Sequence, residues 1–314
     1  NAEWYYGPQK WMMNSFILKY SKKTRVFDNM RLILANQQYE ESRHDRRLNN
    51  KRIRHQYESV DAYSVNLDFD KKIGHRTRLY YGWESVYNKV GSFSERVHIE
   101  TLDTTPNNSR YPNGATWQVH GVYGNLTYRL NEKWILNGGM RYSYYLVLAD
   151  FDTSFFNFPV MEARNRNGAL NGSLGTVFSP GKKTQIYLNA STGFRAPNVD
   201  DIGKVFDSEP GNVVVPNPDL KPEYAYNAEA GFVTSFSKYL HVDGAVYYTY
   251  LKDALVRRNF QLNGQDSIVY EGDLSQVQAI QNVASAYVYG VQVGIMINLT
   301  KGFYVKSQIS YQYG

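Results

Sequence analysis

The chain contains no cysteine, so neither a disulfide framework nor a thiolate metal site is open to it. It holds no run of about eighteen apolar residues, which excludes a transmembrane helix. No signal peptide stands at Asn1; a mature or truncated chain lacks one in any case. His, Asp and Glu nowhere cluster with metal-ligand spacing, and no glycine loop has the form that cradles phosphate. Charge of one sign is also scarce. A net charge of +6 over 314 residues is too modest for a nucleic-acid footprint.

What the chain has in excess is tyrosine, 28 against 15 Phe and 5 Trp. Tyr suits a ring at a membrane–water boundary with its hydroxyl kept wet. The second excess is alternation. Between 285 and 299, Tyr287, Tyr289, Val291, Val293, Ile295, Ile297 and Leu299 fall on one strand face. Val288, Gly290, Gln292, Gly294, Met296 and Asn298 fall on the other, because side chains in a strand alternate with period two. The stretches 183–194, 240–255 and 302–314 repeat the pattern. A mean hydropathy of −0.53 opposes a helical membrane protein but agrees with a barrel whose lumen and loops are polar.

Period-two patterning predicts about twelve strands: 11–20, 25–42, 51–70, 75–91, 115–130, 133–149, 168–179, 183–194, 222–236, 240–255, 285–299 and 302–314. Many exceed the usual soluble strand of about 5–6 residues; a tilted membrane strand needs roughly 9–11. Their connections alternate between short turns and the longer segments 43–50, 92–114, 150–167, 195–221 and 256–284. Tight periplasmic turns and long extracellular loops give an up-and-down barrel this rhythm, whereas a soluble sandwich or propeller has no reason to sort loops by length. The expected fold class is all-β, a transmembrane antiparallel up-and-down β-barrel.

The loop after Phe194 carries the most specific stretch: Gly193-Phe194-Arg195-Ala196-Pro197-Asn198, then Asn217-Pro218-Asp219-Leu220-Lys221-Pro222-Glu223. This pair resembles the TonB-dependent outer-membrane receptors, which import scarce, bulky ligands such as iron chelates, haem and cobalamin. Ser109-Arg110-Tyr111-Pro112-Asn113-Gly114 and Gly138-Gly139-Met140-Arg141-Tyr142-Ser143 add weaker echoes. The resemblance implies a siderophore-type iron chelate as cargo, with haem or cobalamin behind it. It also implies a plug domain, through which the TonB complex acts. Neither the plug nor its TonB-recognition segment is found in the patterning, and the family barrel has about twenty-two strands. The expectation is therefore that 1–314 is part of a larger receptor's β-barrel domain. Two rival readings stand beside it, a passive diffusion porin and a structural or adhesive surface barrel.

Candidate ligand contacts fall in the expected extracellular loops. Arg46 and Arg47 belong to a basic stretch that also holds Arg43, His44, Lys51, Arg52, Arg54 and His55. That stretch either captures an anionic chelate, or meets outer-membrane lipid and lipopolysaccharide phosphates, or is simply solvated. Arg110, Tyr111, Asn113, Tyr270 and Glu271 are further candidates, which a pocket requires to converge. Arg195 and Asn198 have two readings, ligand contact or loop folding; Arg195 has Asp200, Asp201 and Asp207 within reach along the chain. No histidine lies between Arg195 and Leu220, where haem receptors of the family usually carry a ligand. The sequence singles out no cofactor. An enzyme is not expected, since the His241/Asp243 pair has no nucleophile beside it. A surface lipoprotein is a further possible partner, and the expected location is the outer membrane of a Gram-negative cell.

Overall fold

Alternating apolar and polar residues force extended backbone here, and extended segments without an edge partner leave backbone donors and acceptors open, so consecutive strands pair. The computed structural model describes residues 2–155, 161–204, 206–209, 211–270, 272–300 and 302–314. Among these, seventeen strands form one sheet. In chain order they are β1 (Glu3–Tyr6), β2 (Lys10–Ser21), β3 (Asn29–Arg46), β4 (Arg52–Ile73), β5 (Thr77–His98), β6 (Thr104–Pro106), β7 (Thr116–Arg129), β8 (Trp134–Asp150) and β9 (Glu162–Gly181). β10 (Thr184–Arg195) then leads into a single short helix, α1 (Val199–Gly203). The remainder are β11 (Phe206–Glu209), β12 (Asn212–Val214), β13 (Glu223–Ser235), β14 (Leu240–Asn259), β15 (Ser267–Tyr270), β16 (Asp273–Thr300) and β17 (Phe303–Tyr313).

The twelve long strands are the twelve expected from the sequence. They pair antiparallel in the order β2-β3-β4-β5-β7-β8-β9-β10-β13-β14-β16-β17. Among the described residues no pairing joins β2 to β17, so the sheet is not closed. One pairing is parallel, between β12 and β16.

Register sorts the side chains into two faces. Leu240, Val242, Val246, Tyr248 and Tyr250 of β14 lie beside Ile297, Ile295, Val291, Tyr289 and Tyr287 of β16, and all are on the apolar face. Asp68, Glu84, Arg141, Glu229 and Asp243 are on the other, the lumenal face, where charges keep their hydration. Two aromatic belts bound the apolar face. Towards the long loops, Tyr248, Tyr287, Tyr289 and Tyr313 form a ladder with ring centres 5.6–6.4 Å apart. Towards the short turns, Trp134 stacks on Phe178 at 4.5 Å and Phe69 on Tyr81 at 5.1 Å. Ten residues separate Tyr289 from Leu299, about 25 Å of height at the usual rise and tilt, which is the apolar band of an outer-membrane barrel.

The strands run further than alternation alone predicts. The expected loop 43–50 shrinks to 47–51, because Arg43–Asp45 continue the ladder opposite Gln56–Arg54. Arg46 therefore sits in β3 and not in a loop. Likewise β16 starts at Asp273, twelve residues before its predicted start, and β5 continues to His98. Above the membrane band both faces meet water, so the alternation fades while the backbone pairing persists.

Candidate ligand-binding site

Buried apolar side chains among the described residues concentrate beneath the long loops. Val147, Ala149 and Ala163, on the lumenal face of β8 and β9, pack with Val199, Ile202 and Leu220 from the β10–β13 connection. A second cluster joins Val213 and Val215 to Leu262, Tyr270, Val277 and Ala279. The connection 196–222 is thus folded inward against the upper lumenal wall.

The Arg195–Asn198 motif builds the start of this cap. Arg195 holds Asp201 with one guanidinium nitrogen at 2.7 and 2.8 Å and lies 3.6 Å from Glu223. Asn198 caps α1: its side chain accepts from the Asp201 amide, and Asp201 accepts from the Asn198 amide. Asn217 ends the cap, donating from Nδ2 to the Ile280 carbonyl at 2.7 Å and accepting from the Asp219 amide. Asn165 then clamps the Leu220 carbonyl at 2.6 Å. The side chains of Arg195, Asn198 and Asn217 are thus all engaged within the folded connection.

Around the cap lies a polar vestibule. The Tyr111 hydroxyl donates to Asp200 at 2.7 Å, and Lys204 pairs with the same carboxylate at 2.9 Å. Burial and the neighbouring Asp200 charge push the Tyr111 phenol well above its ordinary range. The Arg110 guanidinium sits 5.5 Å from the Tyr111 ring centre. Asn113 accepts from the Ser92 amide through Oδ1 at 3.1 Å. Tyr111 and Asn113 share a cleft of about 400 Å³ with Phe93, Asn107, Asp150 and Phe151. Aromatic faces and amides around such a volume suit a small organic ligand.

The other predicted residues are dispersed. Arg47 crosses to Asp273 of β16 at 3.0 Å. Arg46 is on the outer wall, paired with Glu3 and donating to the Asn50 carbonyl. Tyr270 is buried, 6% exposed, within the second apolar cluster. Glu271 lies outside the described residues.

Glu58, and the apposition of His44 with His55 within the basic stretch, escaped the sequence reading. Glu58 stands directly opposite Glu41 on the lumenal face, 6% exposed, and neither carboxylate oxygen has a hydrogen-bond partner. Glu41 takes the available donors, Arg43 at 2.8 Å and Tyr39 at 2.9 Å. Burial pushes the Glu58 carboxyl up to about 7, against the pull of Arg43. The second group is His44 and His55, whose Nδ1 atoms lie 2.5 Å apart on the outer wall above the aromatic belt. Burial and His55 lower the His44 pKa. Cross-strand opposition creates both pairs, and only register reveals it. No group of three potential metal-ligating side chains forms among the described residues.

An apolar band between two aromatic belts, with a charged lumenal face and inward-folded loops, is the pattern of an outer-membrane β-barrel wall. The chain belongs to the TonB-dependent receptor-like β-barrel family, whose pattern it matches over residues 3–314. That family consists of transport receptors, not enzymes. The copper transporter OprC superimposes with a TM-score of 0.77 at 14% identity, covering 97% of this chain and 46% of that one. The Serratia marcescens hemophore receptor HasR, solved with its hemophore HasA and heme, gives 0.72 at 16% identity, covering 98% and 49%. Among curated proteins, the probable hemoglobin and hemoglobin-haptoglobin-binding protein 4 of Haemophilus influenzae is 28% identical over 156 residues, 45% of this chain and 15% of that protein. The chain spans less than half the length of each.

Proposed function

We propose that this chain is wall and capture surface of an outer-membrane receptor that imports an iron-bearing ligand, a siderophore-type chelate in the first place. The observation that carries the reading is the cap 196–222 folded onto the lumenal wall beside the Tyr111 cleft. A receptor needs a surface that is organised before ligand arrives. The family and the names of its relatives, which carry haem, hemoglobin and copper, support a metal-bearing cargo.

In this reading Arg47, Arg110, Tyr111 and Asn113 form the capture surface, with Arg43 below them. Arg195 and Asn198 position the cap. A lumenal plug completes the site, and TonB, pulling on the plug, opens the path into the periplasm. The protein resides in the outer membrane of a Gram-negative cell, with lipid and lipopolysaccharide against its apolar face.

The test is deletion of 196–221 in the full-length receptor, with a short Gly-Ser link between Arg195 and Pro222. Register already sets Arg195 beside Glu223, so the barrel can close over the gap. Chelate binding is expected to fall at least tenfold while heat-resistant barrel migration on gels persists. Unchanged affinity would remove the cap from the capture surface.

A further inference from the structure

Positive charge is unevenly placed along this chain. The six short-turn segments 21–28, 70–77, 129–134, 181–184, 235–240 and 300–303 hold twelve Lys and Arg against three Asp and Glu. That is +9 of local charge in a chain whose total is +6, so the remainder is net negative. Four of these bases, Lys23, Lys72, Arg76 and Arg129, together with Arg78, line a cavity of about 600 Å³ between the β2–β3, β4–β5 and β7–β8 turns, against two acids, Asp28 and Asp70.

The two acids of this cavity are already engaged. Asp28 accepts from Lys71 Nζ at 2.8 Å and from the Lys72 amide at 2.9 Å. Those bonds hold its carboxyl below the usual carboxylate range. Asp70 is gripped by the Arg78 fork at 2.8 and 2.7 Å and by Asn29 at 3.0 Å. Among the described residues, no acceptor is recorded for the side chains of Lys23, Lys72 or Arg129. Lys72 also stands directly opposite Arg78 across β4 and β5. Like charges so placed repel, and an anion between them reverses the sign. Asp70, Lys72, Arg78 and Arg129 share the lumenal face, where low-dielectric walls focus the field.

We propose that this cavity is an oxyanion site at the short-turn mouth of the barrel, for a small compound bearing two or more carboxylates or phosphates. Its volume is that of a small-ligand pocket, and Arg78, locked by Asp70, offers a pre-oriented guanidinium. Within the reading given under Proposed function, on which this part rests, the site receives an anionic chelate as it leaves the lumen.

Calorimetry of the full-length receptor with citrate, at low and at physiological salt, tests the site without any transport step. Lys72→Gln with Arg129→Gln is expected to weaken citrate by about tenfold or more, the loss of two charge-assisted contacts. Both side chains are exposed among the described residues, and heat-resistant migration on gels checks that the variant keeps its fold. Lys182→Gln with Lys183→Gln, which removes the same charge at another turn, is expected to stay within about twofold. No citrate binding by the wild type overturns the site. Equal weakening by both variants also overturns it, because a diffuse rim field then explains the binding. Uptake of a ferric polycarboxylate that is unchanged in the first variant overturns the transit role. A receptor that captures no chelate at its outer surface fails the functional reading instead, while the calorimetry still decides the cavity.

Discussion

Glu58 shows how much one residue's surroundings decide. In sequence it is one polar position in an alternating strand; in the fold its carboxyl is enclosed opposite Glu41 with no donor of its own. Its ordinary value of 4.5 rises to about 7. A raised carboxyl pKa means that the folded state binds the proton more tightly than the unfolded chain. The contribution to stability is therefore fully present below pH 4.5 and is lost as pH rises towards 7, on the order of 2 kcal/mol after discounting for partial solvation. Thermal unfolding of the full-length receptor across pH 4.5–8 should show this decline, and Glu58→Gln should flatten it. An unchanged slope in the variant would assign the decline to other groups.

At the scale of elements, the lumenal wall repeats one device. A long polar side chain on one strand lies over a glycine on the next and reaches an acid beyond it. Tyr123 crosses Gly82 to hydrogen-bond Asp68, and Arg141 crosses Gly121 to reach Glu84 at 2.9 Å. A Cβ at position 82 meets the Tyr123 hydroxyl and the Leu67 carbonyl oxygen, each at 2.5 Å. Gly82→Ala is therefore expected to cost about 1–3 kcal/mol. Gly124→Ala, whose Cβ has no neighbour within 4 Å, should be close to neutral. Urea unfolding in lipid vesicles measures both, and equal effects would remove the packing argument. The cap belongs to this scale as well: α1 is only five residues, too short to persist alone, and it exists because Asn198, Asp201 and Arg195 close its first turn.

For the whole molecule, the apolar and lumenal faces commit the sheet to one orientation in a membrane. Val293 is mid-band on the apolar face, and Gln292 is its neighbour on the lumenal face. Val293→Arg should destabilise the folded barrel in vesicles by about 2–4 kcal/mol, and Gln292→Arg by far less. Similar losses from both substitutions would contradict the assignment of faces.

The twelve long strands, their facing and the short turns were legible in the sequence, because a membrane wall imposes period-two alternation that each strand must satisfy locally. Strand ends such as Arg43–Arg46 and Asp273–Ala284 were not legible, since above the lipid band polarity stops alternating while hydrogen bonding continues. Nor did the sequence show that Tyr111 reaches Asp200, that Arg47 meets Asp273, or that three turns enclose one basic cavity. Those contacts join residues as many as 226 positions apart. They depend on the register of every strand between, a property of the assembled sheet that no local pattern encodes.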